Sequence, residues 1–260
     1  MKTIKLLGLD FETQGFPADK TNATEVGAIL VELKVHEDVN GRPVDRFPTR
    51  AELARFNALM WDSTYPPQSR EIVELTGITD AILKEQGLSP KTAIQEVVKL
   101  MAAADLVMTH NVTFDRAVFE EQCKRAGLTI PEVKWFCSLR DINYPKKFSC
   151  KKLGHLALDH GVKMDDRKMH RATDDVELML DLVLGNYHIL DLLDYHSQPK
   201  VTVKIDIPKP WTDGEKGKSH AIANGFAWNG TKSAWVKEIL EKNFNVEQEA
   251  GKPYRVSILN

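Results

Sequence analysis

Three features are scarce in this 260-residue chain, and each scarcity argues against a class of protein. Cysteine occurs three times, at Cys123, Cys137 and Cys150, an odd count with no C-x-x-C pair. That argues against a disulfide framework or a zinc knuckle and points to a reducing, cytoplasmic setting. Long apolar runs are missing: nothing approaches the roughly 18 residues of a membrane-spanning helix. The short apolar stretch behind Met1-Lys2-Thr3-Ile4-Lys5 ends in acid at Asp10, which does not suit a signal peptide. No membrane partner is expected. Excess positive charge is missing too, since 35 Lys and Arg face 37 Asp and Glu for a net −2. A passive nucleic-acid binder with a global basic field is disfavoured, whereas an enzyme that meets a few phosphates locally is not.

What is present is ordinary for a globular protein: 42% apolar and 28% charged residues. The length allows one well-buried core, or one domain with a small appendage. Alternating and continuous apolar runs predict strands over 3–13 and 25–33, paired antiparallel, with a third near 56–61. Helical spacing follows over 70–75, 79–85 and 90–101, the last opened by Ser89-Pro90. A short central strand is expected at 105–109, a helix near 115–126, a short strand within 131–138 and a helix at 151–158. The longest helix is expected over 173–190. Strands followed by interleaved helices and strands imply an α/β mixed sheet flanked by helices.

Ser197-Gln198-Pro199 changes the pattern. The expected division is a domain over 1–196 and a small α+β domain over 197–260. The second is predicted to hold a strand at 201–207, a helix at 213–223, a hairpin over 226–236, a helix at 237–244 and a final strand at 254–259. It carries ten Lys or Arg against seven Asp or Glu, a balance opposite to that of the first domain. Trp211, Trp228 and Trp235 beside Lys232 would form either its core or a surface on which bases stack, with Lys on phosphate.

Chemistry is concentrated in three separated segments. Leu6-Leu7-Gly8-Leu9-Asp10-Phe11-Glu12-Thr13-Gln14-Gly15 closes an apolar run with two carboxylates one residue apart. On a strand Asp10 and Glu12 point to the same side. They repel each other unless a cation sits between them, and hard divalent ions prefer such oxygens. His110-Asn111-Val112-Thr113-Phe114-Asp115 places an acid where a strand end opens a helix. His170-Arg171-Ala172-Thr173-Asp174-Asp175 places a His in a loop five residues before an acid in a first helical turn. Taken singly, each acid also reads as a solvated strand end or a partner of the helix dipole, and His170 as a surface loop residue. Together they are four carboxylates and one His. Two divalent ions about 4 Å apart would need such oxygens to bind the attacking and leaving oxygens of a phosphate. A His near its ordinary pKa would take a proton from water at neutral pH.

Asp10-Phe11-Glu12-Thr13 with Gly15, His110-Asn111 with Phe114-Asp115, and His170-x-Ala172-x-x-Asp175 resemble the three motifs of the DEDD exonucleases. They are similar to the His-containing (DEDDh) subclass, which includes the epsilon proofreading subunit of bacterial DNA polymerase III and ribonuclease T. The position four before the last acid is Arg171, not the Tyr of the other subclass, and Thr76-Gly77-Ile78-Thr79 also resembles a segment common in the His subclass. The resemblance covers roughly residues 3–190. It implies a ribonuclease-H-like fold and metal-dependent 3′→5′ hydrolysis of nucleic acid, DNA favoured, to nucleoside 5′-monophosphates. It further implies that Asp10, Glu12, Asp115 and Asp175 ligate two Mg²⁺ or Mn²⁺ ions and that His170 is the general base. Thr13 would hold the 3′-terminal nucleotide, and Asn111 and Phe114 would line the substrate site. Asp175 rather than Asp174 is the ligand by motif spacing alone.

The implied partners are nucleic acid with a free 3′ end and a separate DNA polymerase or other replication or repair protein. Two alternatives carry the same motifs: an RNA-directed 3′→5′ exoribonuclease, and a non-catalytic nucleic-acid or polymerase-binding module on the same fold. His110, His155 and His160 lack partners at metal-ligand spacing and read as structural.

Overall fold

The computed structural model describes residues 1–40, 44, 47–145, 148, 150–164, 167–205, 221, 226–241, 244 and 255–259. The chain divides into two compact units, Met1–Leu193 and Asp194–Asn260.

The first unit is built on a five-stranded sheet of order β3-β2-β1-β4-β5. Its strands are β1 (Lys2–Thr13), β2 (Ala23–Val35), β3 (Thr49–Leu59), β4 (Leu106–Thr109) and β5 (Lys134–Cys137). β2 lies antiparallel to both β1 and β3, while β4 and β5 run parallel to β1. This is the ribonuclease-H-like mixed sheet flanked by helices that the sequence led us to expect.

β1 is apolar on both faces because it is covered on both. Ile4 and Leu6 point into one core with α5 (Leu153–Asp159) and α6 (Ala172–Asn186). Leu7, Leu9 and Phe11 point into a second core with α3 (Pro90–Ala102) and α4 (Val112–Ala126). Central strands buried on both faces read as continuous apolar runs for this reason. The short helices α1 (Arg70–Thr76) and α2 (Asp80–Gln86) follow β3, each opened by a hydroxyl N-cap, Ser69 and Thr79. Phases of the two faces then place Asp10 and Glu12 on the α6 side, continuing the row of Ile4, Leu6 and Gly8. There is little room above Gly8, where a Cβ would lie 2.7 Å from Val176 Cγ1.

Three expectations are corrected. The helix expected over 173–190 is two helices, α6 and α7 (Ile189–Ser197), because Tyr187 is extended (φ −127°, ψ 142°). Its hydroxyl is 2.7 Å from His160 Nε2 and its ring meets Tyr144 edge-on, contacts that a continuous helix would break. The third strand begins at Thr49, well before residue 56, as a mostly exposed edge strand with no apolar alternation to announce it. The helix expected over 237–244 gives way to strand β8 (Ala234–Leu240). Trp235 and Ile239 are buried on the same face of it, and it lies in antiparallel register with β6 (Lys200–Ile205).

In the second unit β6 and β8 join β7 (Ala227–Asn229) and β9 (Val256–Ile258) in a sheet of order β7-β8-β6-β9. Val203, Ile205, Phe226, Trp235, Ile239 and Val256 form its small core. Trp235 is thus a core residue. Trp228, 6.0 Å from it ring to ring, is partly exposed. The helix expected over 213–223 lies, apart from Ala221, outside the described residues, as does Trp211. Among the described residues no helix is long and apolar enough to cross a membrane.

Candidate active site

The C-terminal end of β1 carries Asp10 and Glu12 to the edge of the core, and two helices approach it from opposite layers. From the α4 side comes Asp115, in the first turn of that helix and only 3% exposed. The Phe11 amide N–H donates to its Oδ1 at 3.3 Å. From the other side comes Asp175, in the first turn of α6 and 8% exposed. The His170 amide donates to Asp175 Oδ2 at 3.0 Å. No donor among the described residues meets the buried Oδ1 of Asp175. A buried carboxylate oxygen without a partner is costly, and a bound cation would remove that cost. His170 itself has φ 63°, in the left-handed region uncommon for a non-glycine residue. One ligand atom each from Glu12, His170 and Asp175 lies within 4.8 Å of the others.

Electrostatics of the cluster follow from burial and like charge. Burial, and then Asp175, Glu25 and Asp115, push Glu12 up to about 8, with Arg171 opposing. Burial and the neighbouring acids raise Asp10 well above the usual carboxylate range. Asp115 rises to about 7 through burial despite its hydrogen bonds, and Asp175 to about 7 through burial. His170 moves the other way: burial, helped by Lys152, holds it below 6.5, so its imidazole is neutral at physiological pH. Oxygen donors whose ionisation is resisted by burial and by one another suit hard divalent cations. Asp10, Glu12, Asp115 and Asp175 therefore fit such ions.

The remaining residues singled out in the sequence sit around this cluster. Thr13 is buried, its hydroxyl donating to the Gly15 carbonyl at 3.0 Å. Asn111 is the N-cap of α4 through its backbone carbonyl and not its side chain, whose Oδ1 accepts from Arg140 at 3.3 Å. Phe114 packs against the α4-side core, with its ring 5.2 Å from that of exposed Phe16. Asp174 is committed elsewhere, accepting the Lys168 amide at 2.9 Å. His110 is held by Ser138 Oγ and the Lys151 carbonyl, each at 2.9 Å.

Sequence reasoning missed Glu25 and Arg171. Glu25, at 0% exposure, stands directly across from Glu12 in the β1–β2 register. The Arg171 guanidinium grips both its oxygens at 2.8–3.2 Å, and the Ala172 amide donates to it at 3.2 Å. The only sequence signal is an acid opening the apolar run of β2, and its face follows only from the register.

A family model described as an exonuclease, RNase T, matches residues 7–183. The structure is similar to E. coli exonuclease I in its zinc-bound complex with single-stranded DNA. That match has 17% identity and a TM-score of 0.55, and covers 78% of this chain and 48% of that one. Another exonuclease I structure matches at 14% identity and TM-score 0.57, over 99% of this chain and 62% of that one. The nuclease domain of 3′hExo, a DEDDh family member bound to rAMP, matches at 18% identity and TM-score 0.51, over 70% and 90%. At these identities the likeness is one of fold, and the chain spans about half the length of the E. coli exonuclease I that it matches. No curated protein matches the chain in sequence.

Proposed function

Since the chain belongs to the exonuclease family whose model spans most of its first unit, we propose that it hydrolyses nucleic acid from the 3′ end. The products would be nucleoside 5′-monophosphates. The observation that carries this reading is the convergence of Glu12, His170 and Asp175 within 4.8 Å beside Asp10 and Asp115. Three segments distant in sequence deliver carboxylates and one neutral imidazole to the same strand end.

In this reading Asp10, Glu12, Asp115 and Asp175 hold two divalent ions, Mg²⁺ or Mn²⁺. When bound, such a pair polarises the phosphoryl group and stabilises the charge on the attacking and leaving oxygens. His170, neutral at physiological pH, accepts the proton of the attacking water through a free ring nitrogen. Its left-handed backbone and the hydrogen bond its backbone N–H donates to Asp175 fix where that ring can reach. Thr13 and the backbone beside it seat the 3′-terminal nucleotide, while Asn111 and Phe114 line the path of the strand. Arg140, hydrogen-bonded to Asn111 and Thr113 at the start of α4, offers a cation to a substrate phosphate.

DNA is the favoured substrate, supported by the fold shared with an exonuclease I bound to single-stranded DNA. An exoribonuclease is the second reading, supported by the rAMP-bound relative. Residues 197–260 serve in this proposal as a nucleic-acid or protein docking domain, for which the partly exposed Trp228 is the support. A DNA polymerase or repair protein is a candidate for that docking. Cytoplasmic action is consistent with three free cysteines.

The test is digestion of matched 3′-labelled single-stranded, duplex and 3′-mismatched DNA and RNA, with Mn²⁺, Mg²⁺ or EDTA. Release of labelled 5′-monophosphate is expected with metal, and is expected to be abolished in Asp10→Asn and to fall by about 10²–10⁴ in His170→Ala. Variants that digest as fast as the wild type would remove the site assignment. Binding with no metal-dependent digestion would favour the idle-module alternative.

A further inference from the structure

The end of β1 holds one acid too many for the proposed metal site. Asp10, Glu12, Asp115 and Asp175 are the four carboxylates the proposed reading uses, yet Glu25 shares their face. It is fully buried, directly opposite Glu12 across the β1–β2 ladder. Like charges directly opposite on a sheet destabilise it. A buried acid with two available oxygens, next to a bound divalent ion, is also a competing ligand.

Arg171 answers both problems. Its Nε lies 3.2 and 3.1 Å from the two Glu25 oxygens, and its Nη2 lies 2.8 Å from Oε1. The Ala172 amide takes another position on Oε2 at 3.2 Å. Both oxygens of Glu25 are thereby engaged. The approach is enforced by backbone as well: a Cβ on Gly27 would lie 2.4 Å from Ala172 C and Thr173 N, so only glycine lets α6 dock at this point of β2. The guanidinium is delivered from the residue between His170 and Ala172, on the loop that also carries the proposed base.

Resting on the metal-site reading above, we infer that Arg171 withdraws Glu25 from the ligand set and fixes the charge that the cations meet. With every acid ionised, five carboxylates against one guanidinium leave four negative charges, the charge that two divalent ions neutralise. Removing Arg171 leaves an excess negative charge and frees a fifth oxygen ligand. Removing Glu25 leaves a cation facing the ions. The two changes act on cation affinity with opposite signs, whereas a fork that serves only to hold the loop in place gives loss of affinity for both.

The experiment measures Mn²⁺ binding to the full chain by the disappearance of the free-ion EPR signal, at one fixed alkaline pH. Arg171→Gln is expected to tighten Mn²⁺ binding and Glu25→Gln to weaken it, each about tenfold, since ligand charge count tunes such sites over decades. The double variant Glu25→Gln/Arg171→Gln is expected to return to within about threefold of the wild type. Circular dichroism and thermal unfolding accompany each variant, because Arg171→Gln strands a buried acid. If that variant does not fold, the other two decide: Glu25→Gln must weaken binding and the double variant must restore it. Unchanged affinity in Glu25→Gln, loss of affinity in both single variants, or failure of the double variant to recover would each overturn the inference. A wild-type chain that binds no Mn²⁺ would instead overturn the metal-site reading beneath it.

Discussion

The Phe11 amide donates to Asp115 Oδ1 at 3.3 Å, joining β1 to the first turn of α4 across 104 residues of sequence. Phe11 points its ring into the α4-side core, so its backbone is fixed while Asp10 and Glu12 on either side face the opposite layer. The bond supplies only part of what an ionised carboxylate needs, and burial raises Asp115 to about 7 in spite of it. The site is thus rigidly assembled and electrostatically unfinished at the same time.

This incompleteness has a pH signature. Unfolded acids titrate near 4, while Glu12 is at about 8 and Asp115 and Asp175 at about 7 in the fold. The native state therefore binds more protons than the unfolded chain between these values, and stability falls as pH rises through them. These acids contribute their full stability below about pH 4 and none of it above about pH 8. In EDTA, thermal unfolding is expected to move to lower temperature from pH 5 to pH 8.5. The stabilisation by added Mn²⁺ is expected to grow over the same range. A metal-induced shift that is flat with pH would contradict the cluster's electrostatics.

Asp10→Asn is expected to raise the unfolding temperature of the metal-free protein at alkaline pH, because it removes one of five repelling acids. The same change is expected to abolish metal-dependent turnover. A destabilised variant would mean that Asp10 serves the fold more than the site.

His170→Ala is expected to lower kcat by about 10²–10⁴, the usual worth of a positioned general base, with Mn²⁺ binding retained. Because burial and Lys152 hold His170 below 6.5, the neutral ring persists through neutral pH. With Mn²⁺ held saturating at every pH, the wild-type rate is expected to lose its base only below that value, and the variant to lack this acid limb.

Gly27→Ala tests the docking of α6. A methyl group 2.4 Å from the Ala172 backbone forces the helix start outward. A loss of about 2–3 kcal/mol in urea unfolding is expected, as for overpacked cores, together with loss of Mn²⁺ binding as Asp175 moves. An unaffected variant would show that the Glu25–Arg171 contact does not depend on this close approach.

The cysteines provide a chemical check. Cys123 and Cys137 are buried, with burial raising Cys123 to about 12 and Cys137 above its usual range, while Cys150 is partly exposed. Ellman's reagent is expected to titrate Cys150 quickly in the native protein and the other two only after denaturation.

The segments that converge on the candidate site were legible because each advertises itself locally. Asp10 and Glu12 close an apolar run, Asp115 opens a helix after a strand, and His170 precedes Asp175 at a fixed spacing. Glu25 and Arg171 were hidden because their meaning depends on a strand register and on the docking of α6, neither of which is written in a short window. The same limit explains the fold errors. Tyr187 interrupts an apolar helical pattern for the sake of a tertiary contact with His160. Ile239, Leu240 and Phe244 fall at helical spacing, yet Ala234–Leu240 pairs with β6. β3 is visible only from Phe56 onward because its first half is exposed and polar.

The bond from the Ala172 amide to Glu25 closes a loop of 147 residues. Its consequence concerns synthesis. A ribosome-bound chain that has not yet released α6 holds Asp10, Glu12 and Asp115 but neither His170 nor Asp175, and its Glu25 has no guanidinium. Such a chain cannot assemble the cluster, whatever ions surround it. The cluster is therefore closed only once α6, near the C-terminal end of the first unit, is available to dock.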